Sequence, residues 1–285
     1  MATVVSDGIA THYEVRGDGA PLLMFSPCGF DATLDKWTTI ASYARVRLID
    51  HLTRHYRCIV FDRRETGQSG GRIEVVTWAH YVRQAFGLLE HLGVARAHVM
   101  GGCMGCSVAL AFGVAHPDMT RSLVLWWPVG GAKYRINSGQ RFAEHAGFVK
   151  QQGLEAVVAL AKTSDKSFGQ DPRGGPWVAL LRRDEAFAAS YARQDVDRYL
   201  QLVTEMGRTL VDRDTSPGAD AEDLLRLQVP ALIVPGRDAT HATSAARYLE
   251  ECLPEAQYWD VPVEQQTEHN APPRVLDFLS SADRK

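Results

Sequence analysis

The chain reads as an α/β protein with a mostly parallel, doubly wound sheet, helices on both faces and one helical insertion. Three observations predict this. Short apolar runs of strand length alternate with amphipathic segments of helical period. The runs are apolar at successive positions rather than every second one, as expected of strands covered on both faces. The alternation is interrupted once, between Pro128 and Pro230, by a stretch with no convincing strand.

Taken in order, "TVVSDGIATHYEVRG" alternates apolar and polar residues around Asp7-Gly8 and predicts an opening hairpin. "PLLMFSP", residues 21–27, predicts a strand buried on both faces. "RCIVFD" from Arg57, "AHVMGG" from Ala97, "RSLVLWWP" from Arg121 and "PALIVPG" from Pro230 repeat that pattern, and "QYWDVPV" from Gln257 is its weakest instance. "TWAHYVRQAFGLLEHLG" places Trp78, Val82, Ala85, Leu88, Leu89 and Leu92 on one stripe and ends at Gly93, a helix stop. "MGCSVALAFGVAHP" and "TSAARYLEECLP" predict helices that end before a proline.

The interrupting stretch holds "RFAEHAGFVKQQG", "LEAVVALAK" and "DEAFAASYARQDVDRYLQLVTEMGRTL", all amphipathic at helical period. Residues 129–229 therefore read as a helical cap inserted into a core made of 1–128 and 230–285. The cap aromatics Trp177, Phe187, Tyr191 and Tyr199 either line a pocket or pack the cap on the core, and packing is the commoner fate of such residues.

Of the 285 residues, 45% are hydrophobic and 23% charged, as in an ordinary globular chain. A formal net charge of −3 gives no electrostatic case for nucleic acid or an anionic membrane surface. The Arg63-Arg64 pair reads as ordinary surface charge. The start "MATVVSDGIATHYEV" lacks a basic segment followed by an apolar run, and no apolar stretch reaches the ~18 residues of a membrane span. Five cysteines are too few, and odd in number, for a disulfide scaffold. A cytoplasmic protein with free thiols and a small-molecule partner is expected; nothing indicates an oligomeric state.

The chemistry concentrates in "GGCMGCSVALAF" from Gly101. Cys103 and Cys106 spell C-x-x-C, the spacing of a dithiol redox pair. The same letters spell G-x-C-x-G, a nucleophile elbow with cysteine in place of serine. A thiol at a strand-to-helix turn faces unpaired N–H groups and a helix dipole that favour its thiolate, the nucleophilic form. Gly101 and Gly105 flank Cys103 where a tight elbow excludes a Cβ. A zinc site built on Cys28, Cys103 and Cys106 lacks a fourth ligand, so no metal and no cofactor are expected.

Several motifs in consistent order then resemble the α/β-hydrolase superfamily, in its form with a helical cap after the sixth strand. "SPCGF" is similar to its oxyanion loop, with Cys28 replacing a histidine before Gly29. "FDRRETGQS" from Phe61 is similar to its D-x-R-G-x-G-x-S turn, "GGCMGCSVAL" to the elbow of proline iminopeptidases, and "VPGRDATH" from Val234 to the turn carrying the acid. The resemblance implies Cys103 as nucleophile, Asp238 as acid, and the backbone N–H groups of Phe30 and Met104 as oxyanion hole. Cys28, Gly29, Trp127 and Gln265 become pocket candidates.

The base is harder to register. Aligning Pro272 and Val275 with the usual start of the final helix puts Gln265 where the family carries its histidine, and His269 follows four residues later. His269 serves as base if the loop is longer and the helix shorter than usual. His241 belongs to the acid's own turn and is expected to face the helix that follows. Two functions remain: an enzyme that forms a thioester on Cys103 and passes the acyl group to water or another acceptor, ahead of a protein that has lost catalysis and binds a small molecule under the cap. The elbow glycines and the acid turn weigh against the redox reading.

Overall fold

The computed structural model describes residues 2–284. It contains an eight-stranded sheet in the order β1-β2-β4-β3-β5-β6-β7-β8. The strands are β1 Ala2–Ser6, β2 Ile9–Arg16, β3 Ala20–Phe25, β4 Tyr56–Phe61, β5 Ala97–Gly102, β6 Thr120–Trp126, β7 Ala231–Val234 and β8 Ala256–Tyr258. β1 and β2 form the expected hairpin, and β2 meets β4 antiparallel; every pairing from β4 to β8 is parallel.

Successive residues of the parallel strands feed two different cores, which is why these strands lack apolar–polar alternation. Leu23, Phe25, Ile59, Phe61, Val99, Leu123, Leu125 and Ile233 face one core. Leu22, Met24, Cys58, Val60, Met100, Val124, Trp126 and Leu232 face the other. Short helices α1 Lys36–Thr39, α2 Ala41–Ala44 and α3 Leu48–Leu52 follow β3, and the sequence reading did not foresee them. With the C-terminal helix they cover the second face. α4 Trp78–His91 and α5 Met104–Ala115 cover the first.

Between β6 and β7 the chain builds α6 Ala132–Thr163, α7 Val178–Arg183, α8 Glu185–Ala192, α9 Val196–Leu210 and α10 Ala221–Arg226, with no strand among the described residues there. α6 is broken at Gly153, whose φ of 77° no helix accommodates. α11 Thr243–Cys252 and α12 Ala271–Asp283 complete the fold. Trp177, Tyr191 and Tyr199 are buried against one another, so these cap aromatics pack rather than line a pocket. Among the described residues no helix is long and apolar enough to cross a membrane.

The parallel strands end on one side of the sheet. The loops after β3, β5, β6 and β7 therefore converge there, at the edge where open α/β sheets place their ligands.

Candidate active site

Cys103 caps the turn from β5 into α5 with φ 53° and ψ −127°. A non-glycine residue in this region costs on the order of 1–3 kcal/mol, and such strain accumulates at functional sites. Its two flanking glycines make the turn possible. A Cβ on Gly101 would stand 2.3 Å from the Gly105 carbonyl oxygen, and one on Gly105 would stand 2.3 Å from that of Phe25. The thiol is half-buried and lines a cavity of about 220 Å³ under the cap.

Cys106 lies one helical turn on and does something different. It is fully buried and donates to the carbonyl oxygens of Gly101 at 3.1 Å and Trp126 at 3.4 Å. Burial pushes its thiol well above the ordinary value, so it resists becoming a thiolate. Both cysteines are free thiols. Among the described residues there is no group of three or more His, Cys, Asp or Glu side chains able to hold a metal ion.

Asp238 follows β7, and its Oδ1 accepts from the backbone N–H groups of Thr240 at 2.7 Å and His241 at 2.9 Å. This side-chain turn brings the chain straight back on itself. Gly236 makes room, because a Cβ there would stand 2.4 Å from the His241 Cβ. The returning strand docks on Gly130, through Gly130 N–H to Thr240 O at 3.1 Å and Ala242 N–H to Gly130 O at 3.4 Å. His241 is thereby turned into the site instead of toward the following helix, contrary to expectation. Its Nδ1 lies 3.0 and 2.9 Å from the two Asp238 carboxylate oxygens.

The other ring nitrogen, Nε2, is buried and makes no hydrogen bond of ordinary geometry. The group it does influence is Cys103. Burial on its own would raise the Cys103 thiol; the charge of the His241 imidazolium and the backbone at Cys28 and Met104 overcome this and lower it. Burial would likewise lower the His241 ring, but the Cys103 thiolate and the Asp238 carboxylate raise it. The His241 hydrogen bond holds Asp238 below the usual carboxylate range despite partial burial. The arrangement favours a thiolate–imidazolium pair with a carboxylate behind it.

His269 is not brought to Asp238. It is exposed on the turn before α12, and Asp238 faces His241 instead. Gln265 is also exposed. The buried residue in that loop is its neighbour Gln266, fully enclosed, with Oε1 accepting from the Trp127 indole at 2.7 Å and Nε2 donating to Pro235 O and Val261 O at 3.0 and 2.9 Å. Trp127 lies 6.1 Å, ring centre to ring centre, from His241. It backs the imidazole and is absent from the cavity wall. The buried part of this loop is thus a neutral glutamine–tryptophan pair, and the imidazole beside Asp238 arrives from the acid's own turn. We expect His269→Ala to leave turnover and melting temperature unchanged, within about twofold and 0.5 kcal/mol, as for other exposed substitutions.

Cys28, Gly29 and Phe30 line the cavity with Met104, the first residue of α5, whose N–H has no partner within its helix. Cys28 adopts φ 82°, and burial together with the Cys103 charge pushes its thiol up to about 12. The loop is braced from below by Arg63, which donates to the carbonyl oxygens of Cys28 and Gly29, each at 2.5 Å, and lies over the Tyr81 ring. Arg63 and Arg64, read as surface charge, are each only 1% exposed. Arg64 pairs with the buried Glu65, while the Arg63 guanidinium has no carboxylate partner among the described residues. Arg63 takes its acceptors, the Cys28 and Gly29 carbonyls, from a distant loop, whereas Arg64 is enclosed with carboxylates of its own segment, Glu65 and Glu74.

Residues 21–164, 144 of the 285 positions, match the family described as alpha/beta hydrolase fold. The chain is 32% identical over 201 residues to the dihydrolipoyllysine-residue acetyltransferase component of the acetoin cleaving system of Cupriavidus necator, covering 70% of this chain and 46% of that one. It is 30% identical over 133 residues to a 2-hydroxymuconate semialdehyde hydrolase of a Pseudomonas species, covering 45% and 43%. The chain thus spans less than half the length of these two relatives. In three dimensions it resembles the enol-lactonase of Burkholderia xenovorans, with a TM-score of 0.61, 20% identity, and coverage of 98% and 100%. The strand order, the inserted helices and this match agree: the chain belongs to the α/β-hydrolase fold family.

Proposed function

We propose that this protein is a hydrolase of small carbonyl compounds that works through Cys103 as nucleophile, His241 as base and Asp238 as the acid that orients it. The observation that carries the reading is the line Asp238–His241–Cys103 at the end of the parallel strands, with a cavity opening at the sulfur. Residues 129–229 act as a cap over a core of 1–128 and 230–285. Cys103 and His241 are one charged pair before the substrate arrives, so attack requires no prior proton transfer.

The thiolate attacks the substrate carbonyl carbon, a C–S bond forms, and the π electrons move to the carbonyl oxygen. In this reading the N–H groups of Met104 and Phe30, both residues of the cavity wall, receive that oxyanion. On collapse the bond to the leaving group breaks, and the leaving oxygen, nitrogen or sulfur takes the proton from His241. The neutral imidazole then removes a proton from water, which attacks the thioester. Collapse releases the acid and returns thiolate and imidazolium. The same thioester passes its acyl group to another nucleophile wherever one outcompetes water.

The test is to mix the protein with 4-nitrophenyl butyrate, quench in acid within the first turnovers, and map adducts by peptide mass spectrometry. A butyryl group on Cys103, resolved from Cys106 by fragmentation, is the expected result. Turnover of the ester with no acyl group ever found on Cys103, or with one on Cys28, rules the assignment out.

A further inference from the structure

The cavity wall carries one cation with no ion-pair partner among the described residues. Arg141, half-buried on α6, lines the cavity and makes neither an ion pair nor a hydrogen bond with another described residue. The only acid on the wall, Asp31, is held by Lys36 at 3.0 Å. Phe142, Phe168, Leu210 and Val211 make much of the wall apolar, with Ser138, Ser167 and Thr240 as its neutral polar members. An arginine left unpaired in such surroundings lacks the anion that would offset its partial desolvation.

Its position relative to the sulfur follows from the helix. Tyr134, Ser138 and Arg141 recur at spacings of four and three, so they share one face of α6, and all three line the cavity. Tyr134 is the member near the nucleophile: beyond burial, the Cys103 charge is the next influence on its phenol. Arg141 stands seven residues on, roughly 10 Å along the axis at ~1.5 Å per residue. The face thus runs from the reacting sulfur past Ser138 to a cationic end.

We propose that the substrate's acyl part ends in a carboxylate that Arg141 receives, so the protein acts on monoesters or related monoacyl derivatives of short dicarboxylic acids. A single guanidinium matches a single negative charge and can take a carboxylate through two parallel N–H···O bonds. The cavity of about 220 Å³ lies below the ~300–1,000 Å³ of pockets for drug-sized ligands and suits a short arm. The inference rests on the acyl-transfer reading of the same site.

Two measurements separate them. The first compares kcat/KM for the 4-nitrophenyl monoester of glutaric acid with that for 4-nitrophenyl 5-methylhexanoate, which replaces the carboxylate by an uncharged isopropyl group of the same shape. The anionic ester is expected to be favoured at least tenfold, and Arg141→Gln to reduce that ratio at least tenfold, with Arg141→Lys between. The second needs no turnover: glutarate should slow alkylation of Cys103 by iodoacetamide in the wild type and not in Arg141→Gln. Protection without hydrolysis of either ester keeps the anion site and removes the hydrolase reading. Hydrolysis with no preference for the anionic ester, and no protection by glutarate, removes the anion site and keeps the hydrolase.

Discussion

Replacing His241 by glutamine is expected to reduce turnover by ~10²–10⁴-fold, the usual contribution of a positioned general acid–base group. Glutamine keeps much of the side-chain volume and a hydrogen bond to Asp238, so the turn docked on Gly130 should survive and the melting temperature should change little. The loss belongs to kcat rather than KM, because the imidazole handles protons and binds no part of the substrate. The pH dependence separates this account from simple disruption. In the wild type, burial raises the Cys103 thiol, and the His241 charge together with the backbone at Cys28 and Met104 more than offsets it. Without the ring only burial and the backbone donors remain, so the acid limb of the rate profile should move up, above the ordinary thiol value of ~8.5.

Cys103→Ala is the larger change. Elbow nucleophiles of acyl-transfer enzymes cost on the order of 10⁴–10⁶-fold in kcat when removed, and the oxyanion donors alone support only a small remainder. The protein should still fold, since the side chain is small and half-buried and the strained turn is set by its glycine neighbours. Removing the thiolate also withdraws the strongest influence raising the His241 ring. Proton NMR of the imidazole should therefore show His241 titrating at lower pH in the variant. Cys106→Ala should keep most of the activity, because that thiol is buried among backbone carbonyls and held protonated.

The fold was largely legible from the chain. Runs such as "PLLMF" and "LIV" have no polar face, so only a sheet covered on both sides accommodates them. The short helices between Lys36 and Leu52 escaped because four or five residues carry no readable period. In the candidate site, Cys103 and Asp238 stand in turns with local signatures, a pair of flanking glycines and a Gly-x-Asp turn. The imidazole that meets Asp238 has no such signature. Family spacing was counted back from the final helix, which led to Gln265 and His269; the ring that reaches Asp238 is His241, delivered by a side-chain turn and a dock on Gly130. That dock joins segments more than a hundred residues apart, and no local pattern encodes it. An Asp-x-x-His spacing beginning two residues after a glycine was the one available signal.

The central claim is that the elbow thiol is held as a thiolate by a histidine from the acid's own turn. It is tested most directly by the pH dependence of Cys103 alkylation by iodoacetamide, followed residue by residue with mass spectrometry in the wild type and in His241→Gln. A wild-type acid limb below the ordinary thiol value of ~8.5, moving above it in the variant, is the predicted result. A wild-type limb at or above ~8.5 that His241→Gln leaves in place would contradict the account.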